Sequence, residues 1–144
     1  MDGVPIDGWL SPADSDKLII HNHFLPGNRY GYPGQLPQFG GLGIRNFGMS
    51  GAGNGDTVGI GLLEYRDVVG SVRYAKSRPD TGSKTTFLLS VCLGADSTCV
   101  AMARHPEEEK KLVWIEGTTR RFDGYNYFGA HPEVAVEWLE SHAA

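Results

Sequence analysis

Thr85-Thr86-Phe87-Leu88-Leu89-Ser90-Val91-Cys92-Leu93-Gly94 runs from β-branched and apolar residues into an abrupt break flanked by small ones. Thr85 to Val91 suits a buried strand, because branched and aromatic side chains pack well on a pleated surface. Ser97 to Arg104 then carries a helical pattern, stopped at His105-Pro106. A strand that gives way to a helix so quickly needs a tight turn. Ser90 and Gly94, two residues either side of Cys92, are small enough to permit it. Two readings stay open here: a nucleophile at the head of a helix, or a small buried cysteine that ends a strand.

Working outward, Leu62 to Ser77 is the clearest helix. Leu62, Tyr65, Val69 and Val72, with Val68 and Ala75, recur at spacings of three and four and form one apolar stripe. Pro79 and Gly82 end it. Leu18-Ile19-Ile20 is a compact apolar run that predicts a buried strand, leading into a polar turn from His21 to Asn28. Val4 to Leu10 alternates and predicts a short strand. Lys111 to Ile115 reads as a further strong strand, Gly117 to Gly129 as an aromatic, polar loop, and Pro132 as the start of a last helix with Val134, Ala135, Trp138 and Leu139 inside. From Tyr30 to Gly61 glycine and proline leave room only for stubs, at Gln35–Phe39 and Ile44–Phe47. The main order is strand, helix, strand, helix, strand, helix. That order predicts an α/β fold, a mostly parallel sheet flanked by helices, in a single domain spanning residues 1–144.

The composition narrows the function classes. The chain has 144 residues, 40% of them apolar, and a net charge of −4. A phosphate-binding face needs clustered Lys and Arg, so no nucleic-acid partner is expected. The mixed run Glu107 to Lys111 reads as a solvated turn. No apolar run approaches the roughly 18 residues of a membrane span, and no basic-then-apolar leader opens the chain. Cys92 and Cys99 lie two helical turns apart, about 10 Å, too far for a disulfide. No metal-ligand spacing is present. A reduced, cytoplasmic setting without metal or cofactor is the expectation.

The break at Cys92 carries the chemistry. In a Ser90-x-Cys92-x-Gly94 elbow, the Leu93 N–H points at a developing oxyanion, and the positive end of the following helix favours the attacking thiolate. A second oxyanion N–H is expected near Phe24, in the turn after the early strand, with His21 or His23 lining the site. The alternative for both histidines is a polar loop. His131 is the candidate base, with a plain place before the Pro132 helix as its alternative. Asp123 is the candidate acid and Glu116 the other nearby carboxylate; each alternatively pairs with Arg120 or Arg121. His105 and His142 read as surface residues. Two weaker motifs compete. Gly48-Met49-Ser50-Gly51-Ala52 has an elbow-like spacing but no strong strand before Ser50. Gly51-Ala52-Gly53-Asn54-Gly55 has the wrong spacing for a dinucleotide loop.

Taken together these segments resemble the dienelactone-hydrolase-like branch of the α/β-hydrolases. Asp2-Gly3-Val4, Gly8-Trp9-Leu10 and Pro12-Ala13-Asp14 look like its opening hairpin, and His21 to Asn28 its oxyanion loop. Arg45 to Gly51 resembles the loop after its fourth strand, which makes Ser50 a loop residue. Glu64 to Val68 resembles the next helix, Ser90 to Gly94 the elbow, and Glu116 to Phe122 through His131-Pro132-Glu133 the final strand, histidine loop and last helix. The resemblance implies a hydrolase of small esters, lactones or acyl thioesters with a cysteine nucleophile, or an acyltransferase of secondary metabolism.

The departures are large. Only Glu107 to Lys110 stands where the family has further strands, a cap and the acid-bearing loop. Gly40 to Gly43 replaces an apolar strand, and Arg120-Arg121 occupies the usual place of the histidine. A partial α/β-hydrolase fold follows, lacking the cap and the acid-bearing strands. Open sheet edges are then expected, and with them a marginal or homo-oligomeric protein. A shortened, inactive paralogue that binds an acyl ligand or a partner is the non-catalytic alternative.

Overall fold

The computed structural model describes residues 6, 8, 10, 12–23, 59–90, 92–111, 113–120 and 123–142. Phe24, the glycine-punctuated stretch with its two stubs, the Ser50 motif and the Gly51–Gly55 loop lie outside the described residues, as does most of the Val4–Leu10 strand. The chain forms two compact units, Met1–Pro106 and Glu107–Ala144.

The first unit contains β1 (Lys17–Asn22), α1 (Tyr65–Ser77), β2 (Thr85–Ser90) and α2 (Leu93–Ala103). β1 and β2 pair in parallel along their whole lengths, from Lys17↔Thr85 to Asn22↔Ser90. Parallel neighbours need a crossover between them, and α1 lies in it. The α/β class expected from the residue pattern is therefore present.

β1 is buried from Leu18 to Asn22, on both of its faces, as strands of parallel sheets commonly are. Leu18 and Ile20 pack with Ala75 of α1, with Leu10, Val72 and Leu88 around them. Val68 and Ala101 join α1 to α2, again with Leu88 alongside. Leu88 thus belongs to both groups and ties β2 to each helix. Ile20 is fully buried, worth about 1.5–3 kcal/mol in transfer free energy.

α1 starts at Tyr65, three residues later than its apolar stripe suggests. The cause is the turn before it. Ile60 and Gly61 take φ of 47° and 85°. Gly59 and Gly61 donate their N–H groups to Oε1 and Oε2 of Glu64 at 2.7 and 2.9 Å. The turn leaves Leu62 exposed, outside the stripe. At the other end Arg78 is extended, with ψ 140°. The buried Thr81 hydroxyl donates to the Ala75 carbonyl at 2.7 Å, which satisfies one of the carbonyls a helix end leaves over. Arg78 also forks onto Asp80, Nη2 to Oδ2 at 2.6 Å and Nε to Oδ1 at 2.8 Å.

The second unit contains α3 (Asp123–Ala130) and α4 (Glu133–Ser141). Two expectations are corrected here. Lys111 to Ile115 has residues that favour strands, but its described residues form none. A strand exists only through its ladder, and β-propensity expresses packing on neighbours rather than a backbone preference; Trp114, free of such packing, is 76% exposed. The expected loop from Gly117 to Gly129 instead contains α3. Its Gly, Asn and Tyr residues are poor helix formers, and its start is set by Asp123, whose Oδ2 accepts from the N–H groups of Thr119 and Arg120 at 3.1 and 2.9 Å. That is the backward reach of an acidic residue in a capping box. α4 begins after Pro132, at φ −64°. Val134, Ala135, Trp138 and Leu139 are half-buried, as expected for its inner side. No described helix is long and apolar enough to cross a membrane.

Candidate functional site

β2 ends at Ser90 and α2 begins at Leu93, with Cys92 as the N-cap of the helix. Cys92 bears the distortion, with φ 55° and ψ −123°. That is the first central position of a type II′ turn, a conformation that L side chains avoid and glycine dominates. The Cys92 carbonyl already accepts from the Asp96 N–H at 3.0 Å, so the residue closes the first turn of α2. Its thiol is free and exposed. Of the two local readings, the structure therefore departs from the small buried cysteine. Leu93 is the first residue of α2 and is buried. The opening N–H groups of a helix have no acceptor within it, so N–H donors and the positive end of the helix adjoin Cys92.

Gly94 is required by a close approach. A Cβ there would stand 2.7 Å from the Asn22 carbonyl carbon and 2.8 Å from the His23 carbonyl oxygen. The first turn of α2 thus rests against the backbone at the carboxyl end of β1. A second close approach secures the same helix: a Cβ on Gly61 would stand 2.9 Å from the Asp96 carbonyl carbon.

Three polar side chains meet beneath this turn. Asn22 donates from Nδ2 to the Ser90 hydroxyl at 2.8 Å and to the Thr98 hydroxyl at 2.9 Å. The two hydroxyls are 2.6 Å apart. Asn22 is fully buried. Ser90, chosen from the sequence only for its small size, thus has a polar role as well. The signal for Asn22 was a polar amide ending an apolar strand. Thr98, near the start of a helical pattern, gave none.

His21 lies within β1 and His23 directly follows it, and both are buried. The polar-loop alternative is therefore corrected. Both sit at the carboxyl end of β1, the end of a parallel sheet where open α/β folds hold ligands. The second oxyanion donor, placed near Phe24, lies outside the described residues.

The remaining candidates belong to the second unit. His131, between α3 and α4, is half exposed; its Nδ1 lies 3.1 Å from Glu133 Oε1 and its ring 4.7 Å from the Tyr127 ring. The carboxylate on this histidine is Glu133. Asp123 is engaged with the two backbone N–H groups before α3, and Glu116 is exposed. His142 is more than a surface residue. Its ring packs tilted against Trp138, centroids 3.6 Å apart, its Nδ1 lies 2.8 Å from the Trp138 carbonyl, and its Nε2 lies 3.4 Å from Glu109. Ser141 lies 2.8 Å from the same Nδ1, but that nitrogen must carry a proton to bond the carbonyl, which stops it from acting as a base for the serine. Cys92 and His131 thus fall in different compact units. No family model, curated protein or solved structure matches the chain.

Proposed function

We propose that this chain is an α/β-hydrolase-like cytoplasmic protein that takes an acyl group from a small ester, lactone or thioester onto Cys92. One observation carries the proposal: an exposed cysteine is held at φ 55° and ψ −123° at the head of α2. Strained backbone clusters where a residue must be presented to a ligand. The Cys92 thiolate attacks the carbonyl carbon, forming a C–S bond, while the carbonyl electrons move to oxygen. The Leu93 N–H stabilises that oxyanion. Collapse restores the carbonyl and breaks the bond to the leaving alcohol or thiol, which departs with the electron pair and takes up the proton lost by Cys92. Water then releases the acid from the acyl-cysteine, or an alcohol takes its place. His131 enters as the base from its place in the sequence, with Glu133 on Nδ1. Association of copies along the sheet edge belongs to the same proposal and is checked by light scattering against concentration.

The alternative is a non-catalytic acyl-binding protein. It is favoured by the Asp123 carboxylate, which caps α3 instead of orienting a histidine. Treatment with a fluorophosphonate and with iodoacetamide at neutral pH, followed by mapping of the adducts, separates the two. Fast modification of Cys92, slowed in His131→Ala, supports catalysis. Modification of Cys92 no faster than that of Cys99 would falsify it.

A further inference from the structure

We propose that Asn22, Ser90 and Thr98 are positioning residues that clasp the two arms of the Cys92 turn. The proposal rests on Cys92 as the acyl-accepting nucleophile. Ser90 precedes Cys92 by two residues and Thr98 follows it by six, so their 2.6 Å contact closes the strand arm directly onto the helix arm. Asn22 completes a three-membered ring. Its amide gives one N–H to each hydroxyl, and one hydroxyl gives its proton to the other. The third corner is itself fixed, because Asn22 sits opposite Ser90 in the parallel ladder and its side chain is fully buried.

A strained residue keeps its conformation only when its surroundings over-determine it. Around Cys92 the described constraints are this ring, the Gly94 contact with β1 and the Cys92 carbonyl bond to Asp96. The ring is the one that joins the chain before the turn to the chain after it through side chains. It therefore governs how the Leu93 N–H is aimed relative to the thiol. Misplacement of a reacting group by an ångström or less is enough to slow a reaction strongly, while leaving the thiol as exposed as before.

The test compares two reagents on the 144-residue chain. Acylation of Cys92 by p-nitrophenyl acetate uses both thiolate and oxyanion donor; alkylation by iodoacetamide uses the thiolate alone. Thr98→Val keeps the branched shape and removes the hydroxyl. The acylation rate divided by the alkylation rate should fall about tenfold, the scale of one hydrogen bond's contribution. Thr98→Ser should restore it. Ser90→Ala provides the same comparison should the valine variant fail to fold. An unchanged ratio in folded Thr98→Val or Ser90→Ala, or no recovery in Thr98→Ser, overturns the clasp alone. Wild-type Cys92 that acylates no faster than N-acetylcysteine overturns both the clasp and the proposed function.

Discussion

At Gly94 the backbone of α2 and the end of β1 touch without room for a methyl group. Gly94→Ala must push the helix away from Asn22 and His23, a cost of about 1–3 kcal/mol for overpacking. A lowered melting temperature checks it. Gly129, inside α3, is the control: a Cβ there meets nothing within 4 Å. Gly129→Ala should stabilise by about 0.5–1 kcal/mol through helix propensity and the unfolded chain. A second residue-scale expectation concerns Asp80. The side-chain hydrogen bonds from Arg78 hold its carboxyl below the ordinary 3.8. A carboxyl depressed on folding contributes stability above its unfolded value and loses it as pH falls through the folded one. Asp80 should titrate by NMR below the ordinary carboxylate value, and Arg78→Gln should raise it.

Among the elements, the turn that opens α1 is organised by one buried carboxylate. Glu64 is fully buried and accepts from Gly59 and Gly61. Glu64→Ala leaves two N–H groups without their acceptor, a loss of about 2–4 kcal/mol; Glu64→Gln retains an acceptor oxygen and should cost less. Urea melts of both variants decide it. The same turn shows what the residue pattern could reveal. Val68, Val72 and Ala75 identified α1 because apolar spacing reports a buried stripe, yet buried Asp67, Ser71 and Glu64 gave no such signal. Leu18 to Ile20 and Thr85 to Ser90 were legible as strands from their apolar and branched residues, but only β1 is buried; β2, expected to be buried, is half-buried with Leu89 exposed. Lys111 to Ile115 has equal propensity and no ladder among the described residues, a fact of tertiary pairing that no local pattern contains. Cys92 was legible from its small neighbours and its junction. The Asn22–Ser90–Thr98 ring was not, since it assembles across 76 residues of sequence. Glu133 was hidden by its ordinary place in a helix's first turn.

For the whole molecule, burial is unevenly shared between the two units. Every buried residue described lies before Pro106; from Glu107 onward the described residues are half-buried or exposed. Local opening follows the density of buried contacts. Amides of β1, α1 and α2 should exchange with deuterium most slowly, and those of α3 and α4 well before them. Equal protection in both units would refute this ordering. Folding free energy also belongs to the whole chain, and through it the Cys92 backbone can be weighed separately from its sulfur. A side chain held in that conformation costs about 1–3 kcal/mol, whereas glycine adopts it freely and loses about 0.5–1 kcal/mol from its looser unfolded state. Cys92→Ala keeps the distortion and discards the thiol; Cys92→Gly discards both. The glycine variant should therefore melt above the alanine one. A difference of that sign, read from two melting curves and no substrate, would record how much durability the chain gives up to hold a cysteine at this corner.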